Sequence, residues 1–243
     1  MDDPIVLYGR PGASHDHTFF GNEGVDAYST LRRLRGSGTT CKRRSDTAAY
    51  WVPTLFRNGK PIKPIDAVAY YTLREHTRVR PYPPGLKVVA GDAHAVTPQS
   101  LHIVWWTCAT RRIAGASSDP PRDCRVGAVP ASPTIVREAG DGTVGIQLHV
   151  RFPDCWDGRH LDSTNHHSHM AYSVDGVCPA SRPELVPSLI LIVTYPIASG
   201  TGVILSSGGQ HTGHADFFNA WKQTALVRIV NDCVAGRPRC GRH

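Results

Sequence analysis

The sequence predicts a mostly β protein: a single-domain β-sandwich or jelly-roll over residues 1–243, with long loops and one C-terminal amphipathic helix. Three observations lead there. The chain spreads 23 Gly and 19 Pro along its whole length, which suits short strands joined by turns. Many short segments are rich in β-branched and aromatic residues. One of them, "GTVGIQLHVRF", alternates cleanly, with Val144, Ile146, Leu148, Val150 and Phe152 on one face and Gln147, His149 and Arg151 on the other.

In chain order, "AAYWVPTLF", "LKVVAG", "LHIVWWTC", "SLILIVTYPI" and "TGVILSSG" read as further strands, and "PIDAVAYYTLRE" fits a strand or a helix. The helix is expected to begin near Asp216. Phe217, Trp221, Ala225 and Ile229 follow at helical spacing, flanked by Phe218, Leu226, Val230 and Cys233. Asp216 would then occupy the first turn, where a carboxylate is favoured. The stretches "RRLRGSGTTCKRR" and "GASSDPPRDCRVGAVPASP" read as long surface loops rather than domain boundaries, and no internal repeat is visible.

Composition narrows the function classes. Apolar residues make up 40% and charged residues 19%, a globular balance that excludes disorder for most of the chain. The net charge of +7 comes mainly from arginine, with a cluster at Arg32, Arg33, Arg35, Lys42, Arg43 and Arg44. A solvated basic loop accounts for it. No zinc-finger or RNA-recognition signature accompanies the charge, so nucleic acid is not the expected partner. A glycan rich in uronic acid, or an anionic cell wall, would suit such a surface. The longest apolar run, "LILIV", is far too short for a membrane span.

Seven cysteines without a C-x-x-C pair argue against a zinc knuckle and for disulfides in an oxidising compartment. The expected pairs are Cys155–Cys178, Cys233–Cys240 and Cys108–Cys124, leaving Cys41 over, although spacing does not fix connectivity. The opening "MDDPIV" lacks an apolar signal region and reads as a mature, secreted chain whose export signal has been removed.

Thirteen histidines are present. They concentrate in "PGASHDHTFFGN", "DCWDGRHLDSTNHHSHMAY" and "SSGGQHTGHADFF". On a strand, His15 and His17 would project from one face and offer two imidazoles to one ion. A histidine-rich shell suits zinc or copper. Calcium around Asp154, Asp157 and Asp162 is the alternative, although it wants more oxygen ligands than this string provides. Without a metal, two histidines can act as acid and base in elimination or phosphodiester cleavage. Alternatively, Asp157, Asp162 or Asp216 can supply the carboxylate pair of a glycosidase. His149 and Arg151 become substrate contacts if their face of the strand lines a groove. Trp156, in a polar loop, is the candidate sugar platform, while Trp51 and Trp221 suit a core. Asp162, Ser163 and Asn165 equally suit a turn, and His211 an exposed loop. His166 and His167 are adjacent and point apart.

Five ordered phrases, "DPIV…PGASHDHTFFGN", "AAYWVPTLFRNGKPIKP", "PPGLKVVAG", "FPDCWDGRHLDSTNHHSHMAY" and "GHADFFNAW", resemble the secreted domain-of-unknown-function family nineteen-ninety-six of fungi and actinobacteria. The match runs from about Asp3 to Cys233. Some members carry WSC or other carbohydrate-binding modules, which implies a polysaccharide partner. The shared positions are His15, His17, Phe20, Gly21, Asp157, Gly158, Asp162, Ser168, His169, His214, Asp216 and Trp221. The resemblance therefore implies a histidine set of His15, His17, His169 and His214, without His166, His167 and His211.

The expected protein is a secreted carbohydrate-active enzyme that cleaves glycosidic bonds of a cell-wall or plant polysaccharide, as a glycoside hydrolase ahead of a lyase. Asp157, Asp162, Asp216, His169 and His214 are the expected catalytic groups, with Trp156, His149 and Arg151 binding substrate. His15, His17 and His169 would hold a divalent zinc, copper or calcium ion. A lectin-like glycan-binding module is the alternative, with a lyase or nuclease using paired histidines behind it. Geometrically, the histidines of the first strand should face the "NHHSHMAY" loop and the start of the last helix.

Overall fold

A computed structural model of the protein describes residues 1–72, 79–109, 115–124 and 145–234. Fourteen strands are described: β1 (His17–Gly21), β2 (Ala49–Pro53), β3 (Leu55–Arg57), β4 (Lys60–Pro61), β5 (Asp66–Thr72), β6 (Lys87–Gly91), β7 (Val104–Cys108), β8 (Ile146–Arg151), β9 (Cys155–Trp156), β10 (Met170–Ala171), β11 (Glu184–Leu185), β12 (Ser188–Tyr195), β13 (Val203–Leu205) and β14 (His214–Phe218). Two antiparallel four-stranded sheets dominate, in the orders β1-β2-β14-β6 and β5-β12-β8-β7. Two smaller sheets, β10-β9-β11 and β13-β3-β4, flank them. Tyr50, Val88 and Phe217 of the first large sheet share one core with Trp106, Leu148, Leu191 and Val193 of the second. This is the expected sandwich. Along β8, Ile146, Leu148 and Val150 are fully buried, as the alternation predicts.

The first sheet differs from the second in being covered on both faces. Cross-strand partners in an antiparallel pair share a face, so register defines two rows. One runs Phe20, Tyr50, Phe217, Val88 and faces the inter-sheet core. The other runs Phe19, Trp51, Asp216, Val89 and faces outward. The outer row lies under a second cluster containing Ile5 of the N-terminal segment and Leu34. Leu34 belongs to α1 (Leu31–Arg35), a short helix inside the arginine-rich stretch that the sequence suggested was all loop. Its apolar side buries Leu34 while its arginines face solvent.

Two further expectations change. The last helix does not begin near Asp216. That residue lies in β14, and the helix, α2, spans Gln223–Ile229 before a π-helical turn at Val230–Val234. The ambiguous "PIDAVAYYTLRE" contributes β5. Disulfides join Cys108 to Cys124 and Cys155 to Cys178, and Cys41 is a free thiol. Of the expected pair Cys233–Cys240, Cys240 lies outside the described residues. Among the described residues no helix is long and apolar enough to cross a membrane.

Candidate metal centre

The outer face of the first sheet carries a group of chemically active side chains. The two-residue period of β14 sends Ala215 and Phe217 to the core, and His214 and Asp216 to the opposite face. His214 lies opposite Gly91 on β6, and Asp216 opposite Trp51 and Val89. His17 opens β1 opposite Pro53. The N-terminal segment then crosses this face. Asp3 secures its first turn, with Oδ1 accepting the backbone N–H groups of Ile5 and Val6 at 2.9 Å each. The segment returns to deliver His15 just before β1.

Three imidazoles meet there. Ring centroids are 4.2 Å apart for His15 and His17, 5.0 Å for His15 and His214, and 5.8 Å for His17 and His214. Backbone carbonyls, which can only accept, fix the tautomers of His17 and His214. His17 Nδ1–H donates to the Asp2 carbonyl at 3.1 Å, with Ser14 Oγ 3.2 Å from the same nitrogen. His214 Nδ1–H donates to the Thr212 carbonyl at 2.8 Å. Each ring therefore turns an Nε2 lone pair away from the backbone, as metal-binding histidines do. His17 Nε2 is buried without a hydrogen-bond partner. His214 Nε2 stands 3.1 Å from His15 Nε2. That spacing fits two neighbouring ligands of one ion: nitrogens about 2.0–2.1 Å from zinc reach it at an angle of about 100°.

Burial favours the uncharged form of the rings. Desolvation, reinforced by the neighbouring histidines, pushes His17 down to about 2. Desolvation pushes His214 down to about 4 and lowers His15 as well. Beside them lie two buried carboxylates. Asp216 is 1% exposed, and neither of its oxygens has a hydrogen-bond partner. Its pKa is raised well above the ordinary carboxylate value by burial, with Asp3 adding to the effect. Asp3 is raised by burial too, against the pull of its two backbone hydrogen bonds. Two overlapping donor sets result, His15–His17–His214 and Asp3–His17–Asp216, each with ligand atoms within 4.8 Å of one another.

His169, expected in this site, is in neither set. Its Nε2–H donates to the Lys87 carbonyl at 2.7 Å, fastening the loop to β6, and its Nδ1 lies 3.0 Å from Ser163 Oγ within the loop. Asp157 also shapes the loop: Oδ1 accepts from the backbone of Arg159 and His160, and Oδ2 pairs with His160 Nδ1 at 2.6 Å. Burial raises its pKa, but these contacts outweigh it and hold the carboxyl below its ordinary range. Asp162 caps Ser163, pairs with His166 at 2.9 Å and with Lys87 at 3.3 Å. The three residues form a second polar group rather than part of the histidine centre.

The expected substrate contacts also move. Trp156 is buried in β9, with its indole N–H on the His160 carbonyl at 2.7 Å, and offers no open platform. His149 is buried, stacked on Trp105 at 4.9 Å and 2.8 Å from Thr107 Oγ1. Arg151 lies over the same Trp105 ring at 5.5 Å. A tryptophan from β7 covers the polar face of β8, which is why that face is no bare groove. Asp3 is the member that sequence reasoning missed. A cleft of about 240 Å³ opens next to the histidine centre, at Gly91, and is lined by Asp92, Gln99, His167, Met170 and Tyr172 among others.

Fold and site together define an antiparallel β-sandwich protein with a histidine–carboxylate centre partly covered by its own N-terminal segment. The chain belongs to the family described as domain of unknown function (DUF1996), whose model matches residues 3–221. No curated protein and no solved structure matches the chain.

Proposed function

We propose that this protein is a secreted, metal-dependent carbohydrate-active enzyme that cleaves glycosidic bonds in polysaccharide. The observation that carries the reading is the convergence of His15, His17 and His214, in which His17 and His214 turn their Nε2 lone pairs away from the backbone. Three neutral imidazoles suit zinc or copper and leave coordination positions for water or substrate. When bound, such an ion polarises a substrate oxygen or brings the pKa of its water to about 7. His15 is the half-exposed member of the set and opens it to solvent.

Two disulfides support an extracellular setting. A polysaccharide partner is supported by the net charge of +7. It is also supported by Tyr8 and Tyr28, 51% and 48% exposed, the second packed into a turn that Arg33 closes through the Tyr28 carbonyl. These tyrosines replace Trp156 as the aromatic surface a sugar can stack on.

A second reading is a non-catalytic glycan-binding module. It is favoured by the depth of His17, 8% exposed, because an ion held there would also stiffen the fold. One assay separates the readings. Metal-stripped protein is reloaded with zinc or copper and incubated with neutral and acidic polysaccharides, and new chain ends are measured. Metal-dependent cleavage that His17→Ala abolishes supports the enzyme, with an unsaturated end marking elimination and a saturated one hydrolysis. Retention on a polysaccharide without any product supports the binding module.

A further inference from the structure

His17 belongs to both donor sets but has only one nitrogen to give. Its Nδ1 is committed to the Asp2 carbonyl, so Nε2 alone can meet an ion. One set adds His15 and His214, the other Asp3 and Asp216. The two sets differ in charge. The imidazole set carries no negative charge. The carboxylate side places two acids, 5% and 1% exposed, against a row otherwise made of Phe19, Trp51 and Val89. Among the described residues no lysine or arginine pairs with either acid. Both oxygens of Asp216 and Nε2 of His17 are buried and unpartnered. A buried carboxylate with neither donor nor counter-charge is strongly unfavourable, and a divalent cation would neutralise two at once.

We propose that Asp3, His17 and Asp216 form a second, inner seat for a divalent cation of harder character than the ion of the three-histidine seat. Because both seats draw on Nε2 of His17, they exclude each other. The chain takes one ion at a time, and the ion's chemistry decides where it sits. Two carboxylates and one imidazole suit manganese, whereas three imidazoles suit zinc or copper. The inner seat shares His17 with the proposed enzyme centre but does not depend on any catalytic activity.

The test uses full-length protein stripped with a chelator, titrated with manganese alone, zinc alone, and manganese followed by zinc. Calorimetry gives stoichiometry, and the electron paramagnetic resonance signal of free manganese reports its release. Wild type should bind one equivalent of either metal, and zinc should expel bound manganese. Asp216→Asn and Asp3→Asn should each weaken manganese by at least about 10-fold and leave zinc nearly unchanged. His15→Ala should do the reverse, and His17→Ala should lose both. Circular dichroism identifies any variant that fails to fold, and Asp3→Asn then decides if Asp216→Asn is lost. Simultaneous binding of both metals, or manganese binding indifferent to the aspartate substitutions, overturns the proposal. Manganese binding without zinc binding would instead remove the three-histidine enzyme reading and keep the inner seat.

Discussion

The Nε2 atoms of His15 and His214 lie 3.1 Å apart although 199 positions separate the residues in the chain. His214 is held from behind by the Thr212 carbonyl, and His15 arrives on the loop leading into β1. We predict that His15→Ala and His214→Ala each weaken zinc binding by at least about 10-fold, because even partners one bond removed from a ligand contribute on that scale. Competition against a chromophoric chelator measures it, and wild-type affinity in both variants would exclude the three-histidine seat.

Gly91 supplies a backbone test of the same arrangement. It faces His214 across the β6–β14 pair with φ of +80°, and a Cβ there would lie 2.4 Å from the Gly213 carbonyl oxygen. Gly91→Ala therefore combines an unfavourable dihedral with a collision against backbone that cannot rotate away. The expected loss is about 1–3 kcal/mol, read by urea denaturation, together with weakened zinc binding as His214 shifts. Unchanged stability would mean that the two strands are not this close.

Stability should fall in mild acid through His149, far from the histidine centre in sequence. Burial pushes its pKa from 6.5 down to about 4. Above about pH 6.5 the ring is neutral in both states. Between there and about pH 4 the unfolded chain takes up a proton that the native one refuses, so native stability drops by roughly 1.4 kcal/mol per pH unit from this group. His149→Gln should show a shallower decline over that window. Equal slopes for the variant and wild type in denaturation series would refute the assignment.

The disulfides close loops of moderate length, with separations of 23 residues for Cys155–Cys178 and 16 for Cys108–Cys124. Loop-closure entropy assigns about 3 kcal/mol to each. Paired serine substitutions at either bridge should lower the melting temperature, and a reductant should have the same effect on wild type. A melting curve insensitive to reductant would count against both bridges.

Legibility in the sequence followed burial. The alternation of Ile146, Leu148 and Val150 was readable because the opposite face of β8 carries polar residues. β14 was not, because its sheet is covered on both faces. In His-Ala-Asp-Phe-Phe the alternation breaks at the adjacent Phe217 and Phe218, and the spacing of Phe217 and Trp221 imitated a helix. The resemblance brought His15, His17, His169 and His214 together, but the expected metal set was His15, His17 and His169; the structure puts His214 in the place of His169. Asp3 carried no signal. Nothing in "MDDPIV" indicates that the segment folds over a sheet face, and that covering alone distinguishes it from an exposed acid.

The segment that covers this face has a consequence for when the centre comes into being. Its donors come from positions 3 to 17 and from positions 214 and 216, with β14 inserted between β2 and β6. No partly synthesised chain, and no folding intermediate that lacks β14, can present them together. An ion bound at the proposed centre would thus be captured late in maturation, and its identity would record the compartment in which folding finishes rather than the one in which translation began.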